Sequence, residues 1–389
     1  MSVPNDRRQR WERVRTARLS TLPWLRTEVQ SGRPVRFVAD EILVTDRGVG
    51  TAHRALNGLG HRNSEISEDE PHTGLRRLKA RGLDVTAAVR RLREEMPDAV
   101  VGPNHVFMST PHEHGGPFGP PVAADAPPAK LAPSATGASS VRVVVMDTGV
   151  YLNSPLPAGC YSATPENIET VIDGDNDGEL DSDVGHANFI AGVVVQATEA
   201  AQIRIVKVLD TFGVCTEADL AAAIDGLTDV DVLNLSLGGF SVGDEPPAVL
   251  AATLSNFLTG TGRVVVAAAG NDGIQQRPFW PAAFAASGSP WAPQILAVAA
   301  HDGNAVCEWS NRGPWVSLVA PGEDVVSTFI NHPSFASGWA AWSGTSFAAP
   351  KVVAALVERV AAAGSVVAAA EQVKAEATQQ PLGGFPSLR

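Results

Sequence analysis

Val141-Arg142-Val143-Val144-Val145-Met146-Asp147-Thr148-Gly149 is the stretch of sequence that decides the fold. Its first six residues form a nearly continuous apolar and β-branched run, which is typical of a strand buried on both faces of a parallel sheet. The run ends at Asp147, so a carboxylate lies at the carboxyl end of the strand, where open α/β sheets build their sites. Because Asp-x-Gly after a strand can also be an ordinary turn, Asp147 is only a candidate at this point.

The rest of the second two-thirds of the chain alternates between strand and helix patterns. Strands are predicted at Gln202–Val208, Val232–Leu237, Arg263–Ala269 and Ile295–Ala300, and helices at Asp219–Leu227, Pro247–Leu258 and Phe347–Val360. This alternation predicts an α/β fold with a doubly wound, mostly parallel sheet and helices on both faces. Such a pattern narrows the architecture but not the chemistry.

His186 is the second residue of the segment Gly185–Val195, in which Ala, Ile, Gly and Val recur at helical spacing. The spacing predicts a buried helix whose first turn carries the histidine. A lone histidine is more often structural than catalytic, so its neighbours must supply the argument.

The most specific segment is Gly344-Thr345-Ser346-Phe347-Ala348-Ala349-Pro350. Gly344 permits close backbone approach, and Ser346 opens an alanine-rich helix that tolerates Pro350 in its first turn. A helix N-terminus at Ser346 favours negative charge on a nearby substrate oxygen. Ser346 as a simple N-cap explains the serine but not the whole string.

These three contexts, in the chain order Asp, His, Ser, resemble the subtilisin-like serine peptidases from about Val141 to Glu358. The order differs from that of α/β-hydrolases and of chymotrypsin-like enzymes. The resemblance implies that Ser346 is the nucleophile, His186 the general base and Asp147 the carboxylate that orients the imidazole. The family usually reads His-Gly-Thr-His-Val-Ala-Gly at the histidine, whereas this chain has Ala187-Asn188-Phe189 after it.

The same resemblance implies further site residues. Asn271 follows the predicted strand Arg263–Ala269 and would donate its side-chain amide to the oxyanion, together with the backbone N–H of Ser346. An extended substrate would pair with a strand end, and Ala268 to Gly270 would line the pocket for the residue before the scissile bond. The implied substrate-binding residues are Ser236, Leu237, Gly238, Ala268, Ala269 and Gly270.

The first hundred residues have a pattern of their own. Strand alternation at Phe37–Thr45, a short helix at Val49–Leu59, a clear helix at Asp84–Met96 and a closing strand at Ala99–Phe107 suggest a small α+β domain; Gly74–Ala80 is ambiguous. This order is similar to the inhibitor-type propeptide of subtilases, which implies an intramolecular inhibitor of the body. An unrelated small domain is the alternative.

A segment rich in Pro, Ala and Gly follows, and it is typical of an extended linker. His112 and His114 within it are more simply solvated than metal-binding. We expect the chain to cut itself between about Phe107 and Ser139, as a zymogen does. The predicted organisation is therefore an N-terminal arm (1–33), a propeptide-like domain (34–108), a linker (109–140), a peptidase domain (141–366) and a C-terminal helix and tail (367–389).

Asp173, Asp175 and Asp177 occupy alternate positions of an acidic loop with a glycine at the sixth, which is the front half of a calcium-binding loop. Position twelve is Val184 instead of a bidentate glutamate, so an EF-hand is excluded. Calcium and a solvated acidic loop both remain open. The triad chemistry itself requires no cofactor.

The charge distribution and the cysteine content limit which partners and covalent cross-links the sequence predicts. Residues 1–100 carry 19 Lys and Arg against 14 Asp and Glu, net +5, whereas the remainder carries 11 against 28, net −17. Docking of a basic leader onto an acidic body explains this asymmetry, and no aromatic-basic platform suggests nucleic acid. The three scattered cysteines (Cys160, Cys215, Cys307) indicate buried free thiols.

The start of the chain has no export-signal pattern, since Arg7-Arg8 is followed by charged residues. No apolar run reaches the length of a membrane helix. We therefore expect a cytoplasmic protein, with export by another route as the alternative, and no membrane partner.

The function expected from the sequence is hydrolysis of peptide or protein substrates by a serine endopeptidase, with autoprocessing. Two alternatives stay open. One is an inactive protease scaffold that binds extended peptides, which the altered segment after His186 keeps in play. The other is an enzyme that cuts only its own linker.

Overall fold

The computed structural model of the 389-residue chain describes residues 16–109, 120–127, 131–136 and 140–389. His112 and His114 lie outside the described residues. In the described part, all three cysteines are free and buried, as the sequence predicts.

The leader is a small α+β unit. Its elements are β1 (Leu25–Gln30), β2 (Arg33–Thr45), α1 (Val49–Gly58), β3 (Ile66–His72), β4 (Leu75–Ala80), α2 (Val85–Glu95) and β5 (Val101–Met108). The ambiguous segment is thus a strand, and β1 lies within the predicted arm and pairs with β2. Asp84 caps α2 as predicted, because its carboxylate accepts a 2.9 Å hydrogen bond from the Ala87 N–H.

The body is built on a six-stranded parallel sheet with the order β13-β12-β11-β10-β7-β8. These strands are β7 (Val141–Asp147), β8 (Ala201–Lys207), β10 (Val232–Leu235), β11 (Val264–Ala268), β12 (Ile295–His301) and β13 (Leu318–Pro321). Five of them were predicted from apolar runs, to within one or two residues at most ends, and the doubly wound α/β prediction is confirmed. The short strand β9 (Val214–Thr216) lies outside this sheet.

Successive side chains of a buried strand point to opposite faces of the sheet. Both faces therefore carry apolar side chains, and helices cover each of them. Val143 and Val145 share one core with α3 (His186–Ala197), α6 (Thr345–Ala363) and α7 (Val366–Thr378). Val144 and Met146 share the other with α4 (Glu217–Asp225) and α5 (Ala248–Leu258). This second core also contains buried leader residues, so leader and body are packed together.

Two strand pairings join the segment before β7 to the body. β5 pairs antiparallel with β9, which extends the leader sheet onto the body. The predicted linker contains β6 (Val122–Ala124), which pairs with β15 (Trp339–Trp342) beside β14 (Val325–Thr328).

Within the described residues, no single helix is both long and apolar enough to cross a membrane. In the part of the chain that the structure describes, only α6 and α7 taken together meet that length and composition, and they are bent by 115° at their junction.

Gly185 directly precedes α3 with a left-handed φ of +76°, and a Cβ there would lie 2.6 Å from the ring of Phe329. Gly364, directly after α6, has a similar φ of +81°, but no atom of the described residues lies within 4 Å of a Cβ there. In a Ser346→Ala background, which prevents self-digestion, Gly364→Ala should lower the free energy of unfolding by about 1 kcal/mol through backbone strain alone.

Gly185→Ala should cost the same strain plus the collision with Phe329, about 3 kcal/mol in all. Urea unfolding of both variants measures the difference. Equal losses would show that Phe329 can move aside without cost.

Candidate functional site

Asp147 and His186 form a buried pair at the carboxyl end of β7. Asp147 Oδ1 accepts hydrogen bonds from His186 Nδ1 at 2.7 Å and from the Thr148 N–H at 2.7 Å. Neither side chain is exposed. The carboxylate therefore fixes which ring nitrogen carries the proton and leaves Nε2 as the nitrogen able to take one.

The unusual residues after His186 fasten its helix to the loop after Asp147. The Ala187 N–H donates to Thr148 Oγ1 at 3.1 Å. Asn188 is buried, accepts from the Tyr151 N–H and donates to the Tyr151 carbonyl, both at 2.9 Å. Two backbone groups of Tyr151 are thus satisfied by one side chain, so a residue that departs from the usual family sequence joins α3 to the loop after Asp147.

Aromatic rings surround His186. Its ring centroid lies 5.3 Å from that of Phe347, the residue after Ser346, and 5.5 Å from that of Trp342 in an edge-on contact. Phe189 completes the cluster, 4.4 Å from Phe347. The His186 imidazole, the predicted base, is therefore enclosed by aromatic rings that exclude water. One of these rings belongs to Phe347, the residue directly after the predicted nucleophile Ser346.

Asn271 lies at the end of β11 and is held by the residue before Ser346. Its Oδ1 accepts from the Thr345 N–H and from Thr345 Oγ1, each at 2.8 Å. Its Nδ2 is buried and has no hydrogen-bond partner among the described residues. Because Oδ1 is committed to Thr345, the amide must present Nδ2 to whatever enters the site.

The predicted substrate strand is occupied by the leader. Met108 and Gly238 exchange two backbone hydrogen bonds of 2.8 Å, so β5 lies between β9 on one side and Gly238 on the other. A Cβ at Gly238 would collide with the Phe279 ring, which explains why this position is glycine. Ser236 instead turns inward, and its Oγ donates to the Ser346 carbonyl at 2.9 Å.

The end of β5 reaches the predicted nucleophile. Ser346 Oγ lies within hydrogen-bond distance of two main-chain carbonyls, 3.2 Å from Ser109 O and 3.3 Å from Ser236 O. Ser346 is fully buried beneath this segment. A hydroxyl thus faces the main-chain carbonyl of the residue directly after a paired strand, as a bound peptide could present it.

The family model for subtilases matches residues 138–380. The chain belongs to the subtilase family.

Among curated subtilases, this one is 32% identical over 227 residues to thermitase of Thermoactinomyces vulgaris, covering 55% of this chain and 72% of that protein. It is 32% identical over 236 residues to subtilisin Savinase of Lederbergia lenta, covering 57% and 77%. It is also 32% identical over 229 residues to a thermophilic serine proteinase of Bacillus sp. strain AK1, covering 56% and 51%. The match thus spans about half the length of that last relative.

A solved structure of a cold adapted subtilisin-like serine proteinase superposes with a TM-score of 0.49 at 22% identity. It covers 64% of this chain and 85% of that one.

The remaining predicted site residues of this subtilase lie near the same edge. Leu237 is buried between Ser236 and Gly238, and Ala268, Ala269 and Gly270 are buried at the end of β11, directly before Asn271. Their role as a pocket for the residue before the scissile bond stays a prediction. Asp173, Asp175 and Asp177 present ligand atoms within 4.8 Å of one another.

Sequence reasoning missed two residues that contact Ser109, which directly follows β5. The buried carboxylate of Asp183 accepts a hydrogen bond from Ser109 Oγ, and the Gly213 carbonyl accepts from the Ser109 N–H at 3.0 Å. Asp183 lies only three residues before His186, but its surroundings look like the rest of the acidic loop. The three-residue strand β9 after Gly213 is too short to stand out by its pattern.

Asn188 offers a test of the clamp between α3 and Tyr151. Asn188→Ala leaves a buried N–H and a buried carbonyl of Tyr151 without partners, so it should lower the free energy of unfolding by about 2–4 kcal/mol. Urea unfolding in the Ser346→Ala background measures this. Asn188→Asp keeps the acceptor for the Tyr151 N–H but places a buried carboxyl oxygen against the Tyr151 carbonyl, so it should also lower the free energy of unfolding. A loss below about 1 kcal/mol for Asn188→Ala would contradict the clamp.

Proposed function

We propose that this subtilase is a serine endopeptidase that uses Ser346, His186 and Asp147 as a triad. The observation that carries the proposal is the Ser346 hydroxyl 3.2 Å from the carbonyl of Ser109, which directly follows β5 and whose neighbour Met108 pairs with Gly238. Small-molecule hydrolysis would not need this strand-binding edge. Pairing through main-chain hydrogen bonds is the way extended peptides add to a sheet edge.

In the proposed reaction, His186 takes the Ser346 proton as Oγ attacks the substrate carbonyl carbon. His186 then returns the proton to the leaving amine, so that an acyl-enzyme forms and water later releases it. Asp147 keeps the imidazole oriented and stabilises it while it is charged. The wall of Phe189, Trp342 and Phe347 excludes water, which strengthens these electrostatic contacts.

The proposed oxyanion site has two donors. Asn271 Nδ2 is held in place through Oδ1 by Thr345, and the Ser346 N–H lies in the first turn of α6, where backbone N–H groups lack helical partners. Both are fixed before substrate arrives, so little reorganisation is needed when negative charge develops.

We further propose that the leader is an intramolecular inhibitor. Residues of β5 occupy the edge that a substrate strand would use, and polar side chains secure them there. His105 Nδ1 lies 2.6 Å from Glu217 Oε2 with both side chains buried. Asn104 Oδ1 accepts from the Ala218 N–H at 3.0 Å and so caps α4. These contacts make the leader compete directly with substrates.

We propose autoprocessing on the same arrangement, because the carbonyl of Ser109, the first residue of the predicted linker, lies 3.2 Å from Ser346 Oγ. A calcium ion at Asp173, Asp175 and Asp177 stays a prediction. Its support is that the three carboxylates converge in a loop leading to His186. Oxygen ligands from carboxylates are those that calcium prefers.

The inactive scaffold is the second candidate. The observation that favours it is the buried, occupied cleft, since a strand that never leaves would make the chain a peptide-binding module. An enzyme limited to its own linker would show one cut and no action on other substrates.

Ser346→Ala should abolish labelling by a fluorophosphonate probe, because the probe reacts only with an activated serine, and should lower kcat on peptides by about 10⁴-fold or more. Ser343→Ala is the control. Ser343 is also a buried serine, three residues away, and its Oγ accepts from the Asp324 N–H at 2.9 Å instead of facing the cleft. Labelling of the purified proteins is read by mass spectrometry. Labelling that survives Ser346→Ala refutes the assignment.

Intact mass tests the autoprocessing. The wild-type chain should separate into two products cut between about Phe107 and Ser139, whereas Ser346→Ala should keep its full-length mass, since the cut needs the nucleophile. The Ser343→Ala chain, expressed and purified in parallel, should be cut like the wild type. Full-length wild-type protein, or equal cutting of the Ser346→Ala chain by host enzymes, would count against it.

A further inference from the structure

We propose that Asp183 determines specificity at the subsite that Ser109 occupies, by selecting a small hydrogen-bond donor there and rejecting acidic side chains. The proposal rests on the cleft assignment made above, and it names the class of peptide that the cleft accepts. Its basis is the direct contact between the Ser109 hydroxyl and the Asp183 carboxylate.

Backbone contacts hold Ser109 in one position. Its N–H donates to the Gly213 carbonyl, its neighbour Met108 pairs with Gly238, and its carbonyl faces Ser346 Oγ. Backbone contacts on three sides fix the register, so the Ser109 side chain must enter one particular space. Any peptide bound in the same register places its own side chain in that space.

The shape of that space depends on Gly213. A Cβ at Gly213 would overlap both Ser109 Oγ and the Asp183 carboxylate. Gly213 has a left-handed φ of +70°, which a glycine adopts without strain. The subsite therefore exists because position 213 carries no side chain, and it is closed around a short side chain.

The Asp183 carboxylate forms the wall of that space opposite the Ser109 hydroxyl. Asp183 is fully buried and accepts from Ser182 Oγ at 2.6 Å as well as from Ser109 Oγ. An ionised carboxylate only accepts hydrogen bonds, so a donor is favoured opposite it. A peptide with alanine at this position would leave one acceptor site of a buried charge unmatched.

Two further carboxylates, those of Asp210 and Asp181, lie near Asp183. Burial, together with the nearby Asp183 and Asp181 charges, raises the pKa of Asp210, and burial raises the pKa of Asp181 as well. The region is thus already unfavourable for negative charge. A substrate aspartate at the Ser109 position would add a further carboxylate in contact with Asp183, and like charges brought together in a buried site repel strongly.

The test uses the full chain with Ser346→Ala, so that it does not depend on hydrolysis. Hydrogen exchange of the Met108 and Ser109 amides reports how firmly the tail is seated. Ser109→Ala should speed this exchange on the order of tenfold, because a charge-assisted hydrogen bond is lost. Ser109→Asp should exchange at least about tenfold faster than Ser109→Asn, which has the same shape without the charge.

When Ser109→Asp and Ser109→Asn are each combined with Asp183→Asn, the amide exchange rates of the two chains should lie within about twofold of each other, because the repelling charge is gone. Asp181→Asn is the matched control, since Asp181 is a neighbouring buried carboxylate that bonds to Thr211 and Gly174 and not to Ser109. With it, the difference between the two tails should persist. Equal exchange of the two tails at the start, or a difference removed equally by Asp181→Asn, overturns the proposal.

Peptide cleavage gives a second measurement should Ser109→Asp not fold. Wild-type chain is given Val-Phe-Met-Xaa peptides with a common extension, Xaa being Ser, Ala, Asn or Asp, and rates are expressed per probe-labelled site. Mass spectrometry identifies the bond cut. The order Ser above Ala and Asn, with Asp lowest by about tenfold or more, is expected. A chain that cuts none of them refutes the peptidase while leaving the exchange result standing, and equal rates for Asp and Asn overturn the specificity.

Discussion

The parallel register of β7, β10 and β11 is the constraint on which the rest of this structure depends. Leu235 lies opposite Met146 on one side and Ala267 on the other, so the residues that follow these strands emerge at the same edge. Asp147, Ser236 and Asn271 are therefore neighbours although more than a hundred residues separate the first from the last. The site lies at this shared edge. α3 and α6 place His186 and Ser346 there, at a position that the strands of the sheet define.

Hydrogen bonds position the predicted functional side chains of this site. Each bond holds one polar atom of a side chain and so fixes the orientation of the whole group. Asp147 holds His186 through Nδ1, and Thr345 holds Asn271 through Oδ1. Ser236 also binds the Ser346 carbonyl. Asn188 adds a support of the same kind further out, since it joins the histidine helix to the loop after Asp147. A buried polar group that is fully matched rigidifies its surroundings, and this site uses that property repeatedly.

The leader shares its packing with the body. β5 is at once the last strand of the leader sheet, the partner of β9 and the occupant of the Gly238 edge. One hydrophobic core contains residues of both units. Separation of the leader would therefore expose apolar surface and free the cleft in a single event, which couples the stability of the chain to access to its site.

The sequence by itself determined five of the six strands of the body sheet and the order Asp, His, Ser, because long apolar runs and a glycine-serine helix start are signals that periodicity and residue chemistry reveal. It also determined α2 through its Asp84 cap. Other features were decided only by the tertiary structure, and three of them show why. β4 has an ambiguous pattern and becomes a strand by pairing with β2 and β3, and β9 is too short to predict. The third feature is the contact of Ser109 with Asp183, which joins residues 74 positions apart. Such contacts depend on which elements meet, and no local pattern records that.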